Sequence, residues 1–227
     1  MAQQNFDPAY SGSTALQGFM QRVYQWMAAG LSVTGFVALW AAGNPGLLQT
    51  LAHGGFLILM IAELGLVFWL SSSITKISPQ AAMTGFLIYS ALNGLTMSFI
   101  FVVYTGASIA STFFITAATF AGVSLFGWVT KSDLSSFRGI LFMALIGVLI
   151  ASLVNFFFQS PVFYWIITYA GLAVFIGLTA YDTQQLKEWH QSGVVAGDQM
   201  AVLGALRLYL DFINMFLLLL RLFGRRR

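Results

Sequence analysis

Four ionisable side chains stand inside long apolar runs of this 227-residue sequence: Glu63, Asp182, Arg207 and Asp211. Each is costly there, because a charge removed from water needs a partner or a wet cavity. Arg207, Asp211 and Asn214 recur at i, i+4 and i+7 and so share one face of a helix, which Arg221 continues two turns on. Asp182 closes a different apolar run shortly before Lys187. Two carboxylates drawn together at low dielectric cannot both ionise cheaply, so such a pair tends to hold a proton. Ionised, the same oxygens are the hard ligands calcium prefers, although that ion takes about six to eight oxygens, so Asp182 and Asp211 alone make a weak metal site. Spacing leaves a second arrangement open, in which Arg207 simply pairs with Asp211 one turn along its own helix. Glu63 reads as a structural group capping a polar cluster, with the lining of a water path as the other reading. Asn93 and Asn155 read as hydrogen-bond links between helices.

Other chemistries lack carriers. There is no cysteine, and His53 and His190 lie far apart in predicted connections, which argues against thiolate or histidine metal sites. No Ser-His-Asp set, HExxH helix or phosphate-cradling glycine loop can be assembled, so the chain reads as a non-enzyme with no cofactor. Its formal charge of +3 comes from basic residues placed singly at the ends of apolar runs, the mark of topology signals and not of nucleic-acid binding.

The elements that must hold these groups are membrane spans. Only 7% of the residues are charged and 59% are hydrophobic, so lipid replaces water as the main solvent. Apolar runs of crossing length fall near 20–42, 54–72, 81–104, 107–130, 138–158, 162–185 and 199–223. Residues 1–19 read as a flexible polar tail without a signal peptide, 20–224 as one helical domain, and 225–227 as a basic tail suited to anionic lipid head groups. Arg22, Lys76, Lys131, Arg138 and Lys187 fall on one side, which places the N-terminus in the cytoplasm. Seven full crossings then put Arg225, Arg226 and Arg227 outside, against the same rule; a last segment that enters and returns would avoid this, but its apolar length favours a crossing. The polar stripe of that segment places it inside the bundle, surrounded by the other six. Stripes of small residues at Ser90, Gly94 and Ser98, at Ala118 and Gly122, and at Gly147 and Ala151 read as helix-packing faces.

Two segments resemble the Bax inhibitor-1 (transmembrane Bax inhibitor motif) family in its bacterial inner-membrane branch: Gly177-Leu-Thr-Ala-Tyr-Asp182-Thr-Gln and Leu208-Tyr-Leu-Asp211-Phe-Ile-Asn214-Met-Phe-Leu. The resemblance runs from about residue 15 to the end. It implies an all-α integral membrane protein, a bundle of six helices around a central C-terminal seventh, with Asp182 and Asp211 facing each other as the gate of a pH-sensitive calcium leak. Arg207 departs from the family pattern, standing where a neutral residue is expected, and Ser71–Ser73 occupy a region where relatives often carry a basic residue.

Three functions are compatible with these residues. The first is a pH-sensitive cation (calcium) leak across the inner membrane, with Asp182 and Asp211 as gating and ion-binding groups and Glu63, Arg207 and Asn214 in support. The second is an interaction protein that modulates a membrane protease or complex, with the lysine-free tail as the handle. The third is a proton-coupled transporter of a small solute. The expected partners are the bilayer, protons and calcium ions.

Overall fold

The computed structural model describes residues 8–191 and 198–227. Its elements are helical: α1 (Pro8–Ala42), α2 (Pro45–Thr50), a π-helical turn (Leu51–Gly55), α3 (Phe56–Ser73), α4 (Pro79–Met97), α5 (Ile100–Val103), α6 (Gly106–Val129), a 3-10 turn (Leu134–Phe137), α7 (Arg138–Phe158), α8 (Pro161–Gln191) and α9 (Asp198–Phe223). Among the described residues these make seven helical spans long and apolar enough to cross a membrane.

Local chemistry explains the breaks. Asn44 accepts the Leu47 N–H, Ser78 the Ala81 N–H and Thr105 the Ser108 N–H, and Pro45 and Pro79 supply helix starts that need no donor. The second span therefore begins at Pro45 rather than near 54, and it continues through a kink at His53 and Gly54. Gly54 has φ 118°, a conformation that only glycine adopts cheaply. His53 thus lies within a span and not in a connection, with Nδ1 2.7 Å from the Gln49 carbonyl. α8 likewise runs on to Gln191, past the expected end near 185, so His190 falls on that helix.

Part of the segment expected as a tail over 1–19 is helical. α1 starts at Pro8, and Leu16 and Phe19 are buried in the core; residues 1–7 lie outside the described residues.

α9 is the axis. Ala201, Leu206, Leu208, Tyr209, Met215 and Leu220 on it are almost wholly buried, whereas α7 has no buried residue at all. Phe156, Phe157 and Phe158 at the end of α7 are among the most exposed side chains, as lipid-facing groups should be. Of the three small-residue stripes only the first packs: a Cβ on Gly94 would lie 2.7 Å from the Thr34 carbonyl oxygen, bringing α4 against α1. Gly122 and Gly147 face open space, since a Cβ on either would meet nothing within 4 Å. The close contact of α6 is instead at Gly127, where a Cβ would sit 2.3 Å from the Ala180 carbonyl oxygen of α8.

The C-terminus resolves the topology. Thr105 N–H donates to Arg225 O and Arg227 N–H to Val103 O, both at 3.0 Å, so the basic tail pairs with the α5–α6 turn. At the opposite end, Arg22 of α1 meets Asp198 of α9 at 3.3 Å. α9 therefore crosses fully, and the bundle has an N-terminal face and a C-terminal face.

Two measurements check this arrangement. Topology reporters fused to the two termini should report opposite sides of the membrane. Gly127→Ala should destabilise the detergent-solubilised protein by about 1–3 kcal/mol, because the added methyl has no room against backbone; thermal unfolding reads the loss, and an unchanged midpoint would contradict the α6–α8 contact.

Candidate functional site

α8 and α9 run antiparallel, with Leu186 beside Gly204 near one end and Leu218 beside Gly171 near the other. This register sets Asp182 level with Arg207 and leaves Asp211 one turn further along α9. The Arg207 guanidinium lies 3.7 Å from Asp182 Oδ1, donates to Gln185 Oε1, and stacks over the Trp189 ring at 4.4 Å. The charge pair is therefore made across two helices. The alternative of an Arg207–Asp211 pair within α9 is not what the fold selects.

A cavity of about 440 Å³ opens between α7, α8 and α9, and Asp182, Arg207, Asp211, Asn214 and Gln185 all line it. Asp211 is 4% exposed, and its Oδ2 is buried without a hydrogen-bond partner among the described residues. Arg207 and Asp182 offset one another; Asp211 is left as a carboxylate with no donor for one oxygen. A buried carboxylate oxygen in that position takes up a proton, a cation or water. Asn214 Nδ2 donates to Leu210 O of its own helix at 2.8 Å and makes no bond to Asp211 Oδ2.

Glu63 is elsewhere. It accepts from Thr96 Oγ1 at 2.5 Å and from Asn93 Nδ2 at 3.4 Å, on the other side of α9. Asn93 Oδ1 in turn faces the Tyr209 hydroxyl at 3.2 Å, which also lies 2.6 Å from Thr34 Oγ1. Thr34 spends its own proton on Ser90 O at 2.8 Å, so Tyr209 is the donor to Thr34. A polar chain thus joins α1, α3, α4 and α9 through the fully buried Tyr209. Asn93 serves as the interhelical link expected of it. Asn155 does not, since its Oδ1 accepts the Ser160 N–H at 3.0 Å and ends its own helix.

Several residues of the site carry no charge to draw notice in a sequence. Gln184 accepts the Leu134 N–H at 2.8 Å and donates to Ser132 O at 2.9 Å, clamping the α6–α7 connection to α8. Gln185 donates to the Tyr181 hydroxyl at 2.5 Å while holding Arg207. Thr183 sits on the opposite face to its neighbour: it donates to Thr179 O, accepts from Ser124, and Ser124 accepts from Tyr24, which fixes α8 against α6 and α1. Their positions in the Asp182-Thr-Gln-Gln run were the available signal.

A family model described as "Inhibitor of apoptosis-promoting Bax1" matches residues 16–227. The chain belongs to the Bax inhibitor-1 family. It is 52% identical to the inner membrane protein YbhL of Escherichia coli (strain K12) over 93% of both chains. An uncharacterized membrane protein of Streptococcus pyogenes serotype M1 is 41% identical, over 92% of this chain and 93% of that one. A protein of Borreliella burgdorferi is also 41% identical, over 92% of each. The two Bax inhibitor-1 motifs recognised in the sequence lie on α8 and α9 and contribute Asp182, Asp211 and Asn214 to one cavity.

Two substitutions probe the two polar clusters separately. Tyr209→Phe should cost about 1 kcal/mol, since hydrogen bonds between membrane helices average about 0.6 and seldom exceed about 1.7 kcal/mol. In a cycle of Arg207→Gln and Asp182→Asn, the coupling should be about 1 kcal/mol, discounted because Arg207 keeps contact with solvent; additive effects in denaturant unfolding would contradict the interhelical pair.

Proposed function

We propose that the chain is a pH-sensitive calcium (cation) leak of the bacterial inner membrane, gated where Asp182 and Asp211 meet the cavity between α7, α8 and α9. The supporting observation is the buried, partnerless Oδ2 of Asp211 in a cavity that Asp182 also lines. A proton and a calcium ion compete for the same oxygens. With the proton bound, the carboxyl loses its charge and can donate toward α8, closing the contact. With the proton gone, the oxygens become hard ligands for a cation that completes its shell with water and carbonyls. Two cations face the acids, Arg207 paired with Asp182 and Arg138 lining the same cavity from α7 beside Tyr181, and they keep the site weak, as a leak requires. Lower pH therefore reduces flux.

The similarity to YbhL, an inner membrane protein, supports this location. The basic residues of the N-terminal face, Arg22, Lys76, Lys131, Arg138 and Lys187, orient that face to the cytoplasm. The interaction reading relied on a free tail over 1–19, and the start of α1 at Pro8 takes up most of that segment.

Purified protein in calcium-dye-loaded liposomes tests the proposal. Calcium entry should fall as external pH is lowered from about 8 to 6, and Asp182→Asn and Asp211→Asn should each flatten this dependence. Absence of flux, or the same pH profile in both variants, would sink the leak reading.

A further inference from the structure

The C-terminal face carries a second polar site, unrelated to the aspartates. α7 ends at Gln159, whose φ of 50° makes it the one non-glycine residue with positive φ among the described residues. Glycine or asparagine is cheaper in this helix-ending position, so a glutamine held there points to a use for its side chain. The turn presents Asn155, Gln159 and Ser160 to a cleft of about 860 Å³, walled on the other side by Arg221 and Arg226 with Tyr164 between. Asn155 spends its oxygen on the Ser160 N–H, which leaves its NH2 as donor capacity. The Arg221 guanidinium rests over the Tyr164 ring at 5.5 Å.

The tail is built to aim one arginine. A Cβ on Gly224 would lie 2.3 Å from Leu220 O and 2.6 Å from the Tyr104 ring, so only glycine lets the chain turn so closely over that ring. Beyond it, Tyr104 and Arg226 form an antiparallel bridge, flanked by the Arg225 and Arg227 backbone bonds to Thr105 and Val103. In extended backbone successive side chains alternate, so Arg226 projects opposite to Arg225 and Arg227. Arg226 lines the cleft and its two neighbours do not.

Among the described residues no acidic side chain lines this cleft. The acids at the bundle surface, Asp133, Glu188 and Asp198, belong to the N-terminal face, Asp182 and Asp211 lie within, and Glu63 is held by Thr96 and Asn93. Two guanidiniums and three neutral donors without a carboxylate select an anion with several acceptor oxygens, and phosphate fits the arginine fork. Beside the cleft, Phe156, Phe157, Phe163 and Ile166 are strongly exposed. A soluble anion has no use for such a surface; acyl chains do.

We propose that this cleft binds the head group of an anionic phospholipid, with Arg221 and Arg226 on the phosphate, Asn155, Gln159 and Ser160 on its remaining oxygens or glycerol hydroxyls, and the acyl chains along α7 and α8. The tail is then a lipid clamp that fixes the end of α9 at the membrane interface, and not a diffuse basic anchor.

Native mass spectrometry of the full-length protein, with phosphatidylglycerol or phosphatidylcholine added in detergent, tests this. Retention of phosphatidylglycerol should exceed that of phosphatidylcholine, should fall about tenfold in Arg221→Gln/Arg226→Gln, and should change less than about twofold in Arg225→Gln/Arg227→Gln, which removes the same charge. Thermal shifts of the unmodified protein give a reading that needs no variant: phosphatidylglycerol should raise the midpoint and inorganic phosphate alone should not. Equal retention of the two lipids, or equal loss in the two double variants, would reduce the tail to nonspecific charge. A full shift with inorganic phosphate would make the site one for a soluble anion and overturn the lipid assignment.

Discussion

The structure depends on enclosing a helix that lipid would not accept. α9 carries Arg207, Asp211 and Asn214 on one face and Tyr209 on another, so every side of it needs protein. The Asp182–Arg207 contact meets that need on one side, and the Tyr209 hydroxyl meets it on the other. Both attachments are polar because apolar packing distinguishes a neighbouring helix from lipid only weakly. Once α9 is fixed at both, the other spans have a common axis to pack on.

The two sides are unequally secured. Toward α1 and α4, Gly94 allows backbone to meet backbone, and a run of polar groups goes from Ser90 through Thr34, Tyr209 and Asn93 to Glu63, with the single Tyr209 proton given to Thr34 and Asn93 Oδ1 in polar contact at 3.2 Å. Toward α7, the cavity beside Asp211 separates the helices, and α7 turns an unburied surface to the membrane. Gln184 holds the connection before α7 to α8, and Asn155 and Gln159 end it at the other face. α7 is thus tied at its ends and open along its middle, at the level of the acidic cavity.

Much of this was written in the sequence. Seven apolar runs and an all-α bundle follow from the bilayer's thickness and its demand that every backbone polar group be satisfied within its own span, and the basic bias of one face follows from the retention of Lys and Arg on one side. The i, i+4, i+7 spacing placed Arg207, Asp211 and Asn214 together, because helical periodicity is a local property. The two motifs carried the family, and through it the pairing of Asp182 with Asp211 as an expectation. What local pattern could not supply was the choice of partner. Arg207 had an acid within its own helix and another across the bundle, and only the antiparallel register of α8 and α9 selects Asp182.

The same limit governed the neutral residues. Gln184, Gln185, Thr34 and Tyr209 are ordinary by type, and their roles arise from which helix stands opposite, a relation between residues as much as 175 positions apart. Small-residue stripes were misleading for that reason: Gly94 and Gly147 are alike in sequence, but one meets the Thr34 carbonyl and the other faces lipid space. Even the direction of α9 was ambiguous while charge opposed length, and it was decided by backbone hydrogen bonds between the tail and Val103 and Thr105. The sequence by itself determined that the chain is a membrane bundle with a polar helix at its heart, since hydropathy and period are properties of one segment. The tertiary structure alone decided which charges meet, which carboxylate oxygen is left without a donor and where the tail is fastened, since those depend on how segments lie against one another.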